Sequence, residues 1–456
     1  MPSVLIRASL LHCQQIDPSS QNARAAGPEN SLMRYFSCFV ILLLSFGAIL
    51  GNDNWPQFRG PSGDGISDSK NLPIRWSEGQ NIRWKTAIHD KGWSSPVIWG
   101  DQIWLTTAHS VCEEKTFIQV DFYAVCVDRR NGSILHDLKL LTQENPAFCH
   151  PYNSYATPTP AVEKGRVYVH FGSHGTYCLD TSSGRVQWER RDLICNHFRG
   201  PASSPILFGD LVILTFDGFD VQYLVALDKK NGKTVWKKDR NIDYPKDLNG
   251  DLKKAYSTPS ILDLAGDKQL ISPSAESTIA YNPLNGKELW RISHGGMNEA
   301  AKPVFGHKLI FLTSGHTGNL LAVQQGCKGR LTKENVQWKR SGGVPTRPSL
   351  LLVDDFIFMV SDNAIASCLE AKTGKQVWQE RLGGAFSASP IYAAGNIYLL
   401  DESEKEGKTH VIAAGPAYKV IAVNKLDSGC MASPTVAGDE LFLRTRTHLY
   451  CISEQR

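Results

Sequence analysis

Asp228-Lys229-Lys230-Asn231-Gly232-Lys233-Thr234-Val235-Trp236 (DKKNGKTVW, residues 228–236) is the stretch from which the fold is read. The acidic residue can bond back to the turn's own backbone, the glycine suits a left-handed turn position, and the tryptophan ends an outer strand. The same ending recurs as Asp180, Gly184 and Trp188, as Asn282, Gly286 and Trp290, and as Glu370, Gly374 and Trp378. Trp188, Trp236, Trp290, Trp338 and Trp378 lie 48, 54, 48 and 40 residues apart. Periods of that length, each holding four short strands, mean propeller blades.

Working outward, each unit opens on a small residue and proline, with an alternating β-branched or aromatic strand about seven residues later. The openings are Ser95-Pro96, Thr159-Pro160, Ser204-Pro205, Thr258-Pro259, Lys302-Pro303, Arg347-Pro348, Ser389-Pro390 and Ser433-Pro434. The expected fold is all-β: an eight-bladed β-propeller of four-stranded antiparallel blades. The last unit stops at Tyr450-Cys451-Ile452 without turn or tryptophan, while Asn81-Ile82-Arg83-Trp84-Lys85 is an orphan strand before the first opening. The N-terminal strand is therefore expected to complete the C-terminal blade, removing two sheet edges. Blade one has His136 in the tryptophan position, and blade seven uses Tyr418–Val423 as its outer strand.

The start Trp55-Pro56-Gln57-Phe58-Arg59-Gly60-Pro61, the Asp-x-x-x-Gly-x-x-x-Trp endings and the terminal Thr447-His448-Leu449-Tyr450-Cys451-Ile452 resemble the pyrroloquinoline-quinone-like (PQQ-like) propeller repeat family. That family is shared by quinoprotein dehydrogenases and the outer-membrane assembly factor BamB. The resemblance covers residues 54–453 and implies the fold. Quinoprotein alcohol dehydrogenases carry two adjacent cysteines beside their cofactor, and this chain has no Cys-Cys pair. PQQ with calcium, and oxidation of alcohols or sugars, thus stand as the alternative reading. The leading one is an exported, non-catalytic binding or scaffold propeller of the bacterial cell envelope. A sensor or partner domain serving a separate kinase is a further alternative.

Composition agrees with a globular chain: 42% hydrophobic, 21% charged and a formal net charge of +4 over 456 residues, which gives no reason to expect a nucleic-acid partner. Met33-Arg34 precedes the apolar run Phe36–Leu50, too short for a spanning helix, so residues 33–51 read as a signal peptide and 1–32 as a mis-called start. The expected organisation is a leader over 1–51, an N-terminal extension over 52–80 and the propeller over 81–456. The expected protein is periplasmic or secreted, monomeric, and without a membrane span once the signal is removed.

Cys126, Cys178, Cys368 and Cys451 share one repeat position, where other blades place Ala226 and Ala280, and read as buried small hydrophobes. Cys149 and Cys195 lie in the loops opening blades two and three, next to His150 and His197, and are a candidate disulfide. No C-x-x-C or H-x-x-x-H spacing supports a metal site. No G-x-S-x-G turn offers a catalytic serine. Opening loops and second-to-third strand loops emerge at one end of a propeller channel, where ligands are commonly held. The candidate ligand site is that mouth, with His150, Tyr152, Tyr155, His197 and Arg199 from the long loops of blades two and three, His174 and Asp217 beside them, and Arg347 from blade six. Its expected ligand is an envelope protein or a small polar molecule.

Overall fold

Alternating strands that bury one face against each neighbour have a closed solution in a ring of radial sheets. The computed structural model describes residues 53–113 and 116–454; the signal-peptide reading of residues 33–51 lies outside them. Eight antiparallel sheets form the blades of a propeller. Their inner strands are Val97–Trp99, Ala161–Glu163, Ile206–Phe208, Ser260–Leu264, Val304–Gly306, Leu351–Val353, Ile391–Ala393 and Thr435–Ala437 for blades one to eight. Strand Ile82–Ala87 pairs with His448–Ile452 as the outer strand of blade eight, so the first and last described strands close the ring.

Each blade tryptophan faces a small residue across the ladder: Trp188 opposes Cys178, Trp236 opposes Ala226, Trp378 opposes Cys368 and Trp84 opposes Cys451. The indole then reaches the turn of the next blade. Nε1 of Trp188 donates to the Lys229 carbonyl at 2.9 Å, and that of Trp236 to the Pro283 carbonyl at 3.0 Å. Gly232 sits under the Trp188 ring with φ 68°, where a Cβ would come within 2.7 Å of the indole. In blade one, His136 faces Cys126 and stacks on Trp104 at 5.7 Å. Between blades four and five the repeat changes. A short strand, Gly329–Leu331, adds in parallel to the outer strand of blade four, and Trp290 bonds Gln269 of its own blade instead of a neighbouring turn.

Around the channel, backbone and side chain alternate from blade to blade. The Ser95 N–H donates to Thr159 Oγ1, Thr159 N–H to Ser204 Oγ, and Ser204 N–H to Thr258 Oγ1, each at 2.9 Å. On the other side Lys302 N–H donates to Ser349 Oγ, Ser349 N–H to Ser389 Oγ, Ser389 N–H to Ser433 Oγ and Ser433 N–H to Ser95 Oγ. The opening of blade six is therefore Ser349-Leu350 and not Arg347-Pro348, because the hydroxyl, rather than the proline, carries the link. Lys302 interrupts the ring at blade five.

Residues 53–80 have little regular structure and a definite place. Trp55 exchanges backbone hydrogen bonds with Ile98, and the Pro56 carbonyl accepts from Val162 N–H. Buried Arg59 donates to the Leu350, Pro390 and Asp64 carbonyls, Gly63 lies against Lys302, and Ile66 bridges to Tyr392. The segment thus touches the inner strands of blades one, two and seven and the residues leading into those of blades five and six, and so plugs the channel.

Candidate functional site

Above the plug, the channel widens into a cavity of about 490 Å³ at the end where the opening loops converge. Phe58 of the plug and the small hydroxyls Ser95, Thr159, Ser204, Ser389 and Ser433 line its base. Trp93, Tyr152 and Tyr256 supply aromatic faces, and Arg199, Arg347, His150 and His316 supply nitrogen donors.

Four of the residues named from the sequence meet here: His150, Tyr152, Arg199 and Arg347. Tyr152 spans the mouth. It leaves blade two, its ring lies 4.7 Å beneath the Arg347 guanidinium of blade six, and its hydroxyl reaches Ser387 at 2.9 Å and donates to Glu402, both of blade seven. The Tyr152 carbonyl accepts from Trp93 Nε1 at 3.1 Å, and its N–H donates to His150 Nδ1 at 3.2 Å. Burial, together with the bond to Glu402, raises the Tyr152 phenol to about 12, so this strap is neutral at ordinary pH. Arg347 gives its Nε–H to Asp362, whose other oxygen accepts from Thr346 N–H at 2.7 Å. Burial opposes the Arg347 charge and Asp362 more than offsets it. Arg199 bonds Asp251 at 2.7 Å, and Asp251 also pairs with the buried Lys254 ammonium. Burial would raise the Asp251 carboxyl, but Lys254 and Arg199 hold it below its usual range.

The other four named residues do not line the cavity. Tyr155 donates to the Ala147 carbonyl at 2.6 Å and packs against Phe117 and Phe122. His174 lies between Phe122 and Tyr155, and burial pulls it down to about 4. His197 accepts from Ser173 N–H at 3.0 Å beside Phe216, and burial pulls it down to about 3. Asp217 is fully buried and takes both arms of Arg240, at 2.6 and 2.7 Å. Cys149 and Cys195 are free thiols, buried under different parts of the 195–200 turn. Cys149 faces the Arg199 carbonyl and Gly200, whereas Cys195 faces Ser173 and His197.

Sequence reasoning missed Phe58, Asn298, Thr346 and Ser387 on the cavity wall. For Phe58 the signal was present: an aromatic inside a Pro/Gly-rich segment that no blade required.

The family described as outer membrane protein assembly factor BamB matches residues 120–380 and 334–415. The chain belongs to this PQQ-like propeller family. A BamB of Legionella pneumophila (strain Paris) is 24% identical over 247 residues, 54% of this chain and 48% of that relative, so the match spans about half of the relative's length. The solved BamB of Moraxella catarrhalis superposes with a TM-score of 0.52 at 13% identity, covering 81% of this chain and 99% of that one. A europium-containing methanol dehydrogenase superposes at 0.66 and 11% identity, covering 86% and 89%. At such identities the two structures establish the shared propeller alone.

A calcium-held quinone calls for several converging oxygen ligands. Among the described residues, no three His, Cys, Asp or Glu side chains converge as metal ligands, and the cavity carboxylate Asp362 is already engaged by Arg347 and Thr346. The residues lining this cavity do not fit that group. No helix among the described residues is long and apolar enough to cross a membrane.

Proposed function

We propose that this chain is an exported, monomeric, non-catalytic binding propeller of the cell envelope, and that it engages its partner at the channel mouth. The observation that carries the reading is the mouth itself. Donors and aromatic faces from blades one to six converge on one cavity, with Arg347 and Arg199 held in position by Asp362 and Asp251. Ion pairs spent on fixing side chains suit recognition, since they preorganise the surface without supplying a nucleophile and its base. Kinship with a family described as an outer-membrane assembly factor supports an envelope setting.

The test places a photo-crosslinking amino acid at Thr346, on the mouth, or at Val235, on the outer flank, in the full chain expressed in a Gram-negative host. A discrete adduct in the envelope fraction from position 346 and none from 235 is the expected result. Equal labelling from both positions, or none from 346, overturns the reading. Turnover of alcohols or aldoses with added PQQ, calcium and a dye acceptor would replace it with the oxidoreductase.

A further inference from the structure

Residues 55–66 cross the channel, bonded to the inner strands of blades one, two and seven and to Leu350 at the start of blade six, and Phe58 lines the cavity from this side, which leaves the channel blind to a threading chain. A polypeptide cannot thread such a channel, so whatever fills it enters by an end. The mouth is also narrowed, because Tyr152 crosses from blade two to Glu402 and Ser387 on the far side.

The cations of the mouth are held by carboxylates: Asp251 is shared by Arg199 and Lys254, Asp362 takes Arg347, and Glu402 takes the Tyr152 hydroxyl, so what is left for a ligand is unspent N–H donors and not net charge. A guanidinium has five N–H donors. Arg199 spends one on Asp251 while its buried Nε has no partner, and Arg347 spends its Nε–H on Asp362 and lays its planar face on Tyr152. Donor forks of this kind match the two oxygens of one carboxylate. The flat faces of Trp93 and Tyr256 on the same cavity suit an apolar or aromatic side chain next to that anion.

We infer that the mouth captures the free C-terminal carboxylate of a partner polypeptide, received between Arg199 and Arg347 with its last side chains against Tyr256 and Trp93. This deepens the binding-propeller reading and rests on it. Backbone capture of a chain end gives affinity from a terminus whose sequence is only loosely specified, which suits a carrier serving several clients. The blind channel supplies the selectivity for ends over internal segments, and the Tyr152 strap sets the width that a side chain must pass.

The probes are fluorescent randomised pentapeptides with a free C-terminal carboxylate, and the same mixture amidated, titrated by anisotropy into the full chain. The free acids are expected to bind, and amidation, Arg199→Gln and Arg347→Gln each to weaken binding by about tenfold or more. Arg347→Lys keeps the charge and is expected to retain part of the affinity at an unchanged melting temperature, which separates recognition from misfolding. Equal binding of acid and amide overturns the inference. So does acetate displacing the peptides at the concentration that N-acetylated tripeptide acids require, which would mark a site for any small acid. If position 346 crosslinks an envelope protein while acid and amide bind alike, the chain-end inference fails and the mouth reading survives. If position 346 captures nothing, the mouth reading fails first.

Discussion

Trp84, in the first described strand, donates its Nε1–H to the carbonyl of Arg129 in the turn of blade one at 2.9 Å. Through this bond a strand that completes blade eight is locked onto blade one, and the ring is closed by a side chain as well as by the ladder to Cys451. Trp84→Ala is expected to cost about 3–5 kcal/mol, in the range of a buried indole. Deleting residues 81–88 strips the ladder from His448–Ile452 and leaves an open edge, so the truncated chain should self-associate. Calorimetry and light scattering check both. A truncated chain that stays monomeric with an unchanged melting temperature contradicts the closure.

Gly232 and Gly209 both have positive φ, at 68° and 52°, but only Gly232 has a neighbour in the way. A Cβ there would meet the Trp188 ring at 2.7 Å, whereas nothing lies within 4 Å of one at position 209. Alanine at either position bears the left-handed strain of about 1 kcal/mol or more. Gly232→Ala is expected to lose roughly 1–3 kcal/mol beyond Gly209→Ala, because the indole must leave its carbonyl to make room. Equal melting temperatures for the two variants would mean that the indole does not bear on the glycine.

How much of this was legible in the sequence follows from what each residue's neighbours are. The turn glycines, the tryptophans and the small residues opposite them are near in sequence or fixed by strand register, so the blades and their closure could be read from spacing. Blade six was misregistered because proline is the conspicuous signal, while the physical link is a hydroxyl accepting from the preceding blade, and Ser349 supplies it two residues later. The place of residues 55–66 in the fold could not be read, although Phe58 stood out, since their partners lie on five different blades and impose no periodicity. Within the long loops, type and position could not tell His150 at the cavity from His197 behind it. That difference is radial, and depends on which ring meets Phe216.

The buried histidines predict acid lability. His170, His174, His197 and His294 are pulled by burial to about 3, 4, 3 and 4, against 6.5 in a solvated chain. Between pH 6.5 and 4 the unfolded chain binds protons that the native one refuses, so each contribution is present above 6.5 and lost as pH falls through that window. Glu299, raised by burial to about 8, works the other way, as do the buried carboxyls of Asp217 and Asp401, which burial also raises. Melting temperature is expected to drop as pH goes from 7 to 4.5, and His197→Gln, which can still accept from Ser173 N–H, should flatten the slope. A melting temperature constant over that range would show these rings to be solvated.

Tyr152 should behave as a strap whose ring and hydroxyl act separately. Its hydroxyl holds Ser387 and Glu402 across the channel, and its ring supports the Arg347 guanidinium. Tyr152→Phe removes the bonds and keeps the cation–π contact. An exposed contact of that kind contributes about 0.5–1 kcal/mol and a hydrogen bond to a charged group about 1.5–3 kcal/mol, so the hydroxyl is the stronger of the two anchors. Tyr152→Phe and Tyr152→Ala should both remain folded, because the residue is 40% exposed and lies outside the blade cores. The readout is access to the cavity: a thiol placed by Ala202→Cys on its wall, in a Cys112→Ser background, and its rate of reaction with a maleimide. The rate should rise in Tyr152→Phe and rise further in Tyr152→Ala, where ring and hydroxyl are both gone. Because the phenol is raised to about 12, the rate in the unaltered strap, corrected for thiolate fraction, should not change between pH 6 and 9. Identical rates in all three chains would show that Tyr152 does not bar the mouth, and would leave the cavity open to ligands wider than a chain end.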